Sequence, residues 1–235
     1  MNRDSNVYTI IYASVMVVVV ALGLSFTHQV LLDRQTANEN IDKMQQLLRS
    51  LNITANAKEA ESAYNELFTN AYLINAAGDK IEGTEGASPE DPAFSTELSD
   101  PNAKGMPVYE AQVDGKHVYI IPMTGAGLWG GIWGYIAVED DGSTIYGADF
   151  GHAGETPGLG AEIANRSFGL QFEGKELIKD SQFLSVAVVK PGQIDARRDY
   201  VDGISGGTIT SQGVDKMLHN SVGKYESFLM KLNSN

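Results

Sequence analysis

The longest apolar stretch of the chain lies near its N-terminus, where residues 8–26 carry no charged side chain and residues 15–20 read VMVVVV. At about 1.5 Å per residue, a helix over these residues reaches about 28 Å, which is enough to cross a bilayer. A cleaved signal peptide is the alternative, but its apolar core is usually about 7–15 residues long. The pattern therefore predicts a short tail over residues 1–7 and one transmembrane helix over residues 8–27, in contact with the lipid bilayer.

Helical periodicity continues beyond this span. Apolar or small polar residues recur at intervals of three or four from Leu31 to Leu51, and a second helical pattern covers residues 55–68. Residues 76–104 instead combine glycine, proline and acidic residues, a composition typical of exposed turns. We therefore predict a helical stalk and an acidic insertion over residues 28–104. The insertion is either a solvated loop or a docking segment for a partner subunit.

From residue 105 onward the pattern changes to alternation with a period of two. Alternating runs at residues 108–113 and 117–122 flank Asp114-Gly115, which predicts a β-hairpin. Further strands are predicted at residues 132–138, 144–150 and 183–189.

A final apolar stripe from Val214 to Leu232 predicts a C-terminal helix of about five turns. The predicted fold class is α+β. One N-terminal transmembrane helix is followed, over residues 105–235, by a domain with a mainly antiparallel sheet flanked by helices.

The composition excludes several classes of function. The chain has 17 basic and 30 acidic residues, a formal net charge of −13, which argues against nucleic acid or an anionic lipid surface as a partner. It has no cysteine, so disulfides, thiolate catalysis and cysteine-ligated iron–sulfur clusters are excluded. Its four histidines lack the spacing of a metal-binding motif, and we predict no metal site.

The clearest chemical signal lies in residues 205–214, SGGTITSQGV, which open into the C-terminal apolar stripe. A helix N-terminus presents unpaired N–H groups and a positive dipole end, and Gly206 and Gly207 lack the Cβ atoms that would block an approaching anion. The hydroxyl of Thr208 would then lie at the anion. Such a loop also serves as a simple N-cap, so spacing alone leaves both interpretations open.

The same residues carry a resemblance to a known family. The segment SGGT at residues 205–208 resembles the Ser-Gly-Ala-Thr flavinylation motif of FMN-binding domains, in which FMN is joined through its phosphate to the threonine hydroxyl. The resemblance implies that Thr208 carries covalent FMN. The segment departs from the family at Gly207, where alanine is usual, and Thr210 and Ser211 remain alternative hydroxyls.

Two further segments resemble motifs of the same domain, in the same order: GLWG at residues 127–130 and ETPGLG at residues 155–160. Without the resemblance, their glycines would indicate tight turns and close strand packing. With it, both loops are expected to wall the flavin pocket. Trp129 would lie against the isoalloxazine ring, or pack as a core or interface residue. Glu155 would orient its loop or cap the short helix that follows.

Lys190 ends the predicted strand 183–189 and matches a lysine position of the family. A cation near the flavin would stabilise its anionic reduced form, whereas the alternative is a strand-end lysine that reaches into solvent. The residues that the resemblance assigns to FMN binding are Thr208, Ser205, Gly206, Gly207, Thr210, Trp129, Glu155, Thr156, Gly158, Leu159 and Lys190. None of them is predicted to be catalytic or to bind a metal.

With the membrane span, the three motifs make the whole chain similar to the C subunits of sodium-pumping NADH:quinone oxidoreductases, with the G subunits of Rnf complexes as near relatives. The resemblance implies an electron carrier that acts with the other subunits of a membrane complex and receives its FMN from a flavin transferase. It also implies a single-pass protein of the cell inner membrane with its body in the periplasm, an orientation that the flanking charges do not decide. Two alternatives stay open: an Rnf-type subunit, and a membrane-anchored scaffold or binding domain without covalent flavin.

Overall fold

The computed structural model describes residues 6–234, so residues 1–5 of the predicted tail lie outside the described residues. The first element, α1 (Asn6–Ser50), is one continuous helix of 45 residues, where the sequence predicts a span and a stalk. The chain divides into two compact units, Met1–Asp42 and Lys43–Asn235. The last turns of α1 therefore belong to the second unit.

Within the first unit, the apolar part of α1 is exposed. Val17 and Val19 are 67% and 62% exposed. The helix is long and apolar enough to cross a membrane, and its most apolar window is not buried against any described residue. This exposure is costly in water and typical of a helix in lipid, as predicted for residues 8–27.

The second unit is built on a five-stranded antiparallel sheet in the order β1-β2-β3-β4-β5. Its strands are β1 (Phe68–Ile74), β2 (Met106–Val113), β3 (Lys116–Ala126), β4 (Gly131–Glu139) and β5 (Ile145–His152). Asp114 and Gly115 connect β2 to β3 with φ angles of 50° and 76°, as in a tight two-residue hairpin turn. The predicted hairpin and the strands predicted at 132–138 and 144–150 are confirmed.

The sequence does not predict β1. This strand follows directly on α2 (Ala60–Leu67) and lies within the segment predicted as stalk and insertion, so the sheet begins before residue 105. The compact units divide between Asp42 and Lys43 and not after residue 104. Local periodicity does not reveal this, because β1 takes its partner, β2, from beyond the whole insertion.

Alternate residues of the sheet lie on two faces, and both faces are covered. Tyr72 pairs with Val108, and both belong to a buried cluster with the C-terminal helical segment. On the opposite face, the ring of Tyr109 packs edge-on against Phe94 of α3 (Pro92–Ser95), with the ring centroids 6.5 Å apart. Part of the predicted exposed insertion is therefore core.

The C-terminal stripe forms an interrupted helical segment, where the sequence predicts one helix. In order, it consists of α5 (Thr208–Met217), a π-helical turn (Leu218–Val222), a 3-10 turn (Gly223–Tyr225) and α6 (Glu226–Asn233). In the π-helical turn the Ser221 hydroxyl oxygen accepts the backbone N–H of Thr124 at 3.1 Å, where β3 extends past its pairing with β2. The wider turn thus satisfies a strand-edge donor.

The predicted strand 183–189 is wrong as a single strand. The segment contributes to two separate pairs: β6 (Ile178–Lys179) with β7 (Gln182–Phe183), antiparallel, and β8 (Ala187–Val189) with β9 (Tyr200–Asp202), parallel. Between β7 and β8, Ser185 is buried with a φ of 63°, which turns the backbone out of the β conformation. The chain connects β5 to β6 through a 3-10 helix (Gly160–Ala164), α4 (Arg166–Gly169) and a 3-10 turn (Leu170–Phe172).

Candidate functional site

Thr208 is the first residue of α5, and it is exposed. Before it, Gly206 has a φ of 76° and the N–H of Gly207 donates to the carbonyl of Ile204 at 3.0 Å, which turns the chain tightly into the helix. Ser205 is also exposed but lies before the helix begins. No side chain in the described part of the chain caps this helix end. The first N–H groups of α5 therefore lie beside an exposed hydroxyl, an arrangement that suits a phosphate ester.

The neighbouring hydroxyls of α5 differ from that of Thr208 in their burial. Thr210 is 1% exposed and donates its hydroxyl to Oε2 of Glu155 at 2.6 Å. Ser211 is 6% exposed, and its oxygen accepts the N–H of Ile204 at 2.9 Å. Both hydroxyls are thus engaged inside the protein.

Glu155 is 4% exposed, and its side chain contacts both of the other motif-bearing segments. Its Oε1 accepts the backbone N–H of Trp129 at 2.8 Å, and its Oε2 accepts the Thr210 hydroxyl. Its own backbone N–H donates to Nδ1 of His152 at 3.2 Å. Burial opposes the charged carboxylate, but hydrogen bonds from the Thr210 hydroxyl and from two backbone N–H groups outweigh it, so the pKa of Glu155 lies below its usual value. The carboxylate is therefore charged at neutral pH.

Two glycines give this carboxylate room. A Cβ at Gly127 would lie 2.5 Å from Oε1 of Glu155. A Cβ at Gly160 would lie 2.5 Å from Oε2 of the same residue and 2.4 Å from the hydroxyl oxygen of Thr210. All three distances are shorter than a real Cβ contact, so a larger residue at either glycine would displace the carboxylate.

These contacts join three stretches of chain that we call the motif loops: residues 127–130, 155–160 and 205–211. The sequence assigns their glycines to turns and misses that two of them make space for one acidic side chain. The available signal was a lone glutamate at the start of the second loop. Residues 125–130 also have the spacing G-x-G-x-x-G, but they join two antiparallel strands and not a strand to a helix, so they do not form a dinucleotide-binding turn.

Four exposed apolar side chains lie on the motif loops, and we call them the apolar rim: Leu128, Trp129, Leu159 and Ile209. They are 48%, 69%, 42% and 53% exposed. Among the described residues beyond α1, six large hydrophobic side chains are exposed, and four of these six form the rim. Trp129 is therefore not a core residue. A concentration of exposed apolar surface of this kind marks a binding site more often than a free surface.

The other predicted residues of the second loop are mostly exposed. Thr156 accepts the N–H of Leu159 through its carbonyl oxygen at 3.1 Å. Gly158 has a φ of 76°, and its N–H donates to Oε1 of Glu162 at 2.9 Å, so this N–H is used within the loop. The predicted short helix after Glu155 is confirmed as the 3-10 helix that begins at Gly160.

Lys190 is exposed and directly follows β8. The N–H of Gly203 donates to the carbonyl of Val189 at 2.7 Å, so the backbone at Lys190 lies beside the start of the third motif loop. The backbone of Lys190 therefore lies near the residues that lead into the third motif loop. Its side chain is exposed and is not part of the core.

Two cavities lie elsewhere on the second unit. One of about 380 Å³ is lined by Phe183, Leu184, Asp195, Arg197, Arg198 and His219. One of about 230 Å³ has Arg49, Asp149 and Arg166 among its lining residues. The described lining residues of both cavities include none from the motif loops. No cluster of three or more metal-binding side chains occurs within residues 6–234.

Comparison with known proteins adds three findings. A family model described as FMN-binding domain matches residues 127–223, a range that contains all three motif loops. The chain is 32% identical over 215 residues to the C subunit of Na(+)-translocating NADH-quinone reductase from Vibrio vulnificus, covering 86% of this chain and 82% of that protein. It is 30% identical to the C subunit of the same reductase from Pseudomonas aeruginosa, covering 98% and 97%.

Two solved structures share the fold. The crystal structure of the C subunit of Na(+)-translocating NADH-quinone reductase from Parabacteroides distasonis is 52% identical and superposes with a TM-score of 0.78, over 85% of this chain and 96% of that one. That of Shewanella oneidensis NqrC is 25% identical with a TM-score of 0.65, over 84% and 100%. The predicted fold class and the resemblance to these C subunits are confirmed.

Proposed function

We propose, from the premise that this chain belongs to the family of the C subunits of Na(+)-translocating NADH-quinone reductases, that it holds FMN through a phosphoester to Thr208 and carries electrons within that complex. The match to the FMN-binding domain supports FMN as the cofactor. The observation that carries the site assignment is the exposed hydroxyl of Thr208 at a helix N-terminus that no described side chain caps. The hydroxyls of Thr210 and Ser211 are engaged in the interior.

The residues around Thr208 fit this cofactor in both of its parts. The N-terminus of α5 stabilises the negative charge of a phosphoester, and Gly206, with its positive φ, turns the chain into this helix. The apolar rim offers aromatic and aliphatic surface to a planar ring. Bound FMN supplies the redox chemistry, while the chain binds it, orients it and excludes water from part of its surface.

Further residues of the site tune or border the flavin in this proposal. The positive charge of Lys190 would stabilise the anionic reduced form of a bound FMN and so raise its reduction potential. Thr156 and Leu159 would border the ring of a bound FMN. Gly158 serves the loop conformation instead, because its N–H already donates to Glu162. Glu155 holds the motif loops together through its hydrogen bonds to Trp129 and Thr210.

The membrane placement belongs to the same proposal. The apolar part of α1 anchors the chain, with the N-terminus in the cytoplasm and the second unit in the periplasm. The chain is a subunit of a membrane complex by its family, and membrane association follows from that family and from the exposed apolar helix. A flavin transferase loads the FMN, and the other subunits supply and accept the electrons.

In-gel flavin fluorescence tests the attachment. The full chain is expressed together with a flavin transferase, denatured, and examined on a gel, where covalent flavin stays with the protein band. We expect fluorescence in the wild type and in Ser205→Ala, which removes the other exposed hydroxyl of the loop. Thr208→Ala should be dark. A fluorescent Thr208→Ala band would contradict attachment at Thr208.

A further inference from the structure

The carboxylate of Glu155 is the point at which the three motif loops contact one another. One oxygen holds the first loop through the N–H of Trp129, and the other holds the third loop through the hydroxyl of Thr210. Glu155 itself belongs to the second loop. With 4% exposure and both oxygens accepting hydrogen bonds from the protein, the side chain is not available to touch a cofactor.

We infer that Glu155 is a positioning residue that selects the hydroxyl to which FMN is attached. The inference rests on the proposed attachment at Thr208. By holding Thr210 inside the protein, the carboxylate fixes the rotation of the N-terminal turn of α5 and presents Thr208 outward.

Helix geometry explains the selection. Residues two apart on an α-helix differ by about 200° around its axis, so they lie on nearly opposite sides. Once Thr210 faces Glu155, Thr208 faces away from it. The bond from the N–H of Ile204 to Ser211 fixes the same turn from a second direction.

Attachment needs a free, correctly placed oxygen. The reaction forms a bond between the threonine oxygen and the phosphorus of FMN. It breaks the phosphoanhydride bond of an activated FMN donor bound by the transferase, and it releases the hydroxyl proton and the remaining phosphate group of the donor. A hydroxyl that donates to Glu155 at 2.6 Å inside the protein cannot reach that phosphorus. Thr208 meets the requirement and Thr210 does not.

Variants at positions 155 and 210 separate the charge of the carboxylate, the shape of the two side chains and the hydrogen bond between them. Glu155→Gln keeps an oxygen for the N–H of Trp129 and offers an amide N–H to the oxygen of Thr210. Glu155→Ala removes the acceptor that the two loops share and leaves two backbone N–H groups of the first loop and the hydroxyl of Thr210 without it. Thr210→Val removes only the hydroxyl and keeps the shape.

Two readouts are taken on the full chain. The first is amide hydrogen exchange of residues 127–130 and 206–211 in protein that carries no flavin. The second is tandem mass spectrometry of the peptide spanning both threonines after expression with the transferase, which gives the FMN at each position. We expect Glu155→Gln to resemble the wild type in both readouts. Thr210→Val loses the bond to Glu155, so exchange of residues 206–211 should rise, while exchange of residues 127–130 stays at the wild-type level. In Glu155→Ala, exchange in both loops should rise about tenfold or more, occupancy at Thr208 should fall, and part of the FMN should move to Thr210.

A glycine pair repeats the test without changing either polar side chain. Gly160→Ala places a Cβ 2.4 Å from the Thr210 oxygen and 2.5 Å from Oε2 of Glu155, which forces them apart, whereas Gly154→Ala meets no described atom within 4 Å. We expect Gly160→Ala to reproduce the effect of Glu155→Ala and Gly154→Ala to leave the wild-type pattern. If Glu155→Ala does not fold, this pair of glycine variants still tests whether Glu155 selects the attachment hydroxyl.

The outcomes separate the inference from the proposed function. Wild-type protein with FMN on Thr208, together with unchanged exchange and site distribution in the Ala variants at 155 and 160, would overturn the role of Glu155 alone. Lower occupancy with all residual FMN still on Thr208 would make Glu155 merely structural and also overturn selection. A wild-type chain without FMN on Thr208 would contradict the proposed function, while the exchange data would still report on the loop contacts.

Discussion

Gly206 and Gly207 precede Thr208 for different physical reasons. Gly206 has a φ of 76°, in the left-handed region that costs a residue with a Cβ about 1 kcal/mol or more. Gly207 has a φ of −102°, which any residue adopts. A Cβ there would lie 3.1 Å from Cβ of Ile204 and 3.2 Å from the backbone nitrogen of Gly160, contacts that require a shift of only a few tenths of an ångström. The departure from the Ser-Gly-Ala-Thr pattern at Gly207 therefore leaves the site intact.

We predict unequal effects of alanine at these two positions. Gly206→Ala should lower the free energy of unfolding by about 1 kcal/mol, while Gly207→Ala should change it by less than about 0.5 kcal/mol because it also restricts the unfolded chain. Urea unfolding of both variants measures the difference. Equal destabilisation by the two substitutions would show that the turn at Gly206 does not require its positive φ.

The charge of Glu155 predicts a dependence of stability on acid. Its pKa is lowered in the folded protein, against burial, by hydrogen bonds and by nearby His152, so its contribution is fully present above the unfolded value of about 4.3. That contribution is lost as the pH falls through the lower folded pKa. Thr210→Val removes one of the hydrogen bonds, so this variant should lose less stability between pH 6 and pH 3 than the wild type. Parallel losses of unfolding free energy in urea titrations would contradict this account.

The residue scale also shows what the sequence can and cannot predict about the site. The motifs single out Thr208, Gly206 and Leu159, and the structure gives Thr208 and Leu159 exposed side chains and Gly206 a positive φ, while their roles toward a flavin stay predictions. The bond between Thr210 and Glu155 was not predicted, because the two residues are 55 positions apart and only the fold brings them together.

At the scale of elements, α1 serves two units. Its last turns are buried in the second unit, with Leu47 and Leu48 fully buried and Arg49 bound to Asp149 at 3.0 Å. Gln46 accepts the indole N–H of Trp133 on β4 at 2.9 Å. Periodicity predicts this helix, but it does not distinguish the buried last turns from a stalk that stands free in solvent.

Truncation of a core leucine tests this assignment. Leu48→Ala should destabilise the second unit by about 2–5 kcal/mol, because it removes a fully buried side chain. The matched control Leu32→Ala, at a position that is 39% exposed on the same helix, should have a much smaller effect. Thermal unfolding of the full chain in detergent, followed by near-UV circular dichroism, measures both. Equal melting temperatures would place the end of α1 outside the folded body.

Other element boundaries follow from contacts that periodicity does not encode. The run from Phe183 to Val189 has a strong strand composition, yet Ser185 breaks it with a positive φ. The C-terminal stripe is buried as predicted, but its backbone changes from α to π to 3-10 geometry and back to α. The π-helical turn brings the Ser221 hydroxyl within hydrogen-bond distance of the N–H of Thr124. Composition specifies which side chains are buried, and tertiary hydrogen bonds decide how the backbone bends.

At the scale of the whole molecule, the absence of cysteine makes the orientation directly measurable. We predict that a membrane-impermeant maleimide labels a Ser99→Cys variant in cells with a permeabilised outer membrane, because Ser99 is exposed on the second unit. A Ser5→Cys variant, before the apolar helix, should be labelled only after the inner membrane is broken. The reverse pattern would place the flavin-binding body in the cytoplasm.

The central claim is that the chain carries FMN covalently on Thr208. Tandem mass spectrometry of the wild-type protein, purified from the membranes of its own cells, tests this most directly. We expect the peptide that contains residues 205–211 to carry the mass of an FMN phosphoryl group, with fragment ions that locate it on Thr208. An unmodified peptide, or an FMN mass located on another residue of this chain, would contradict the account.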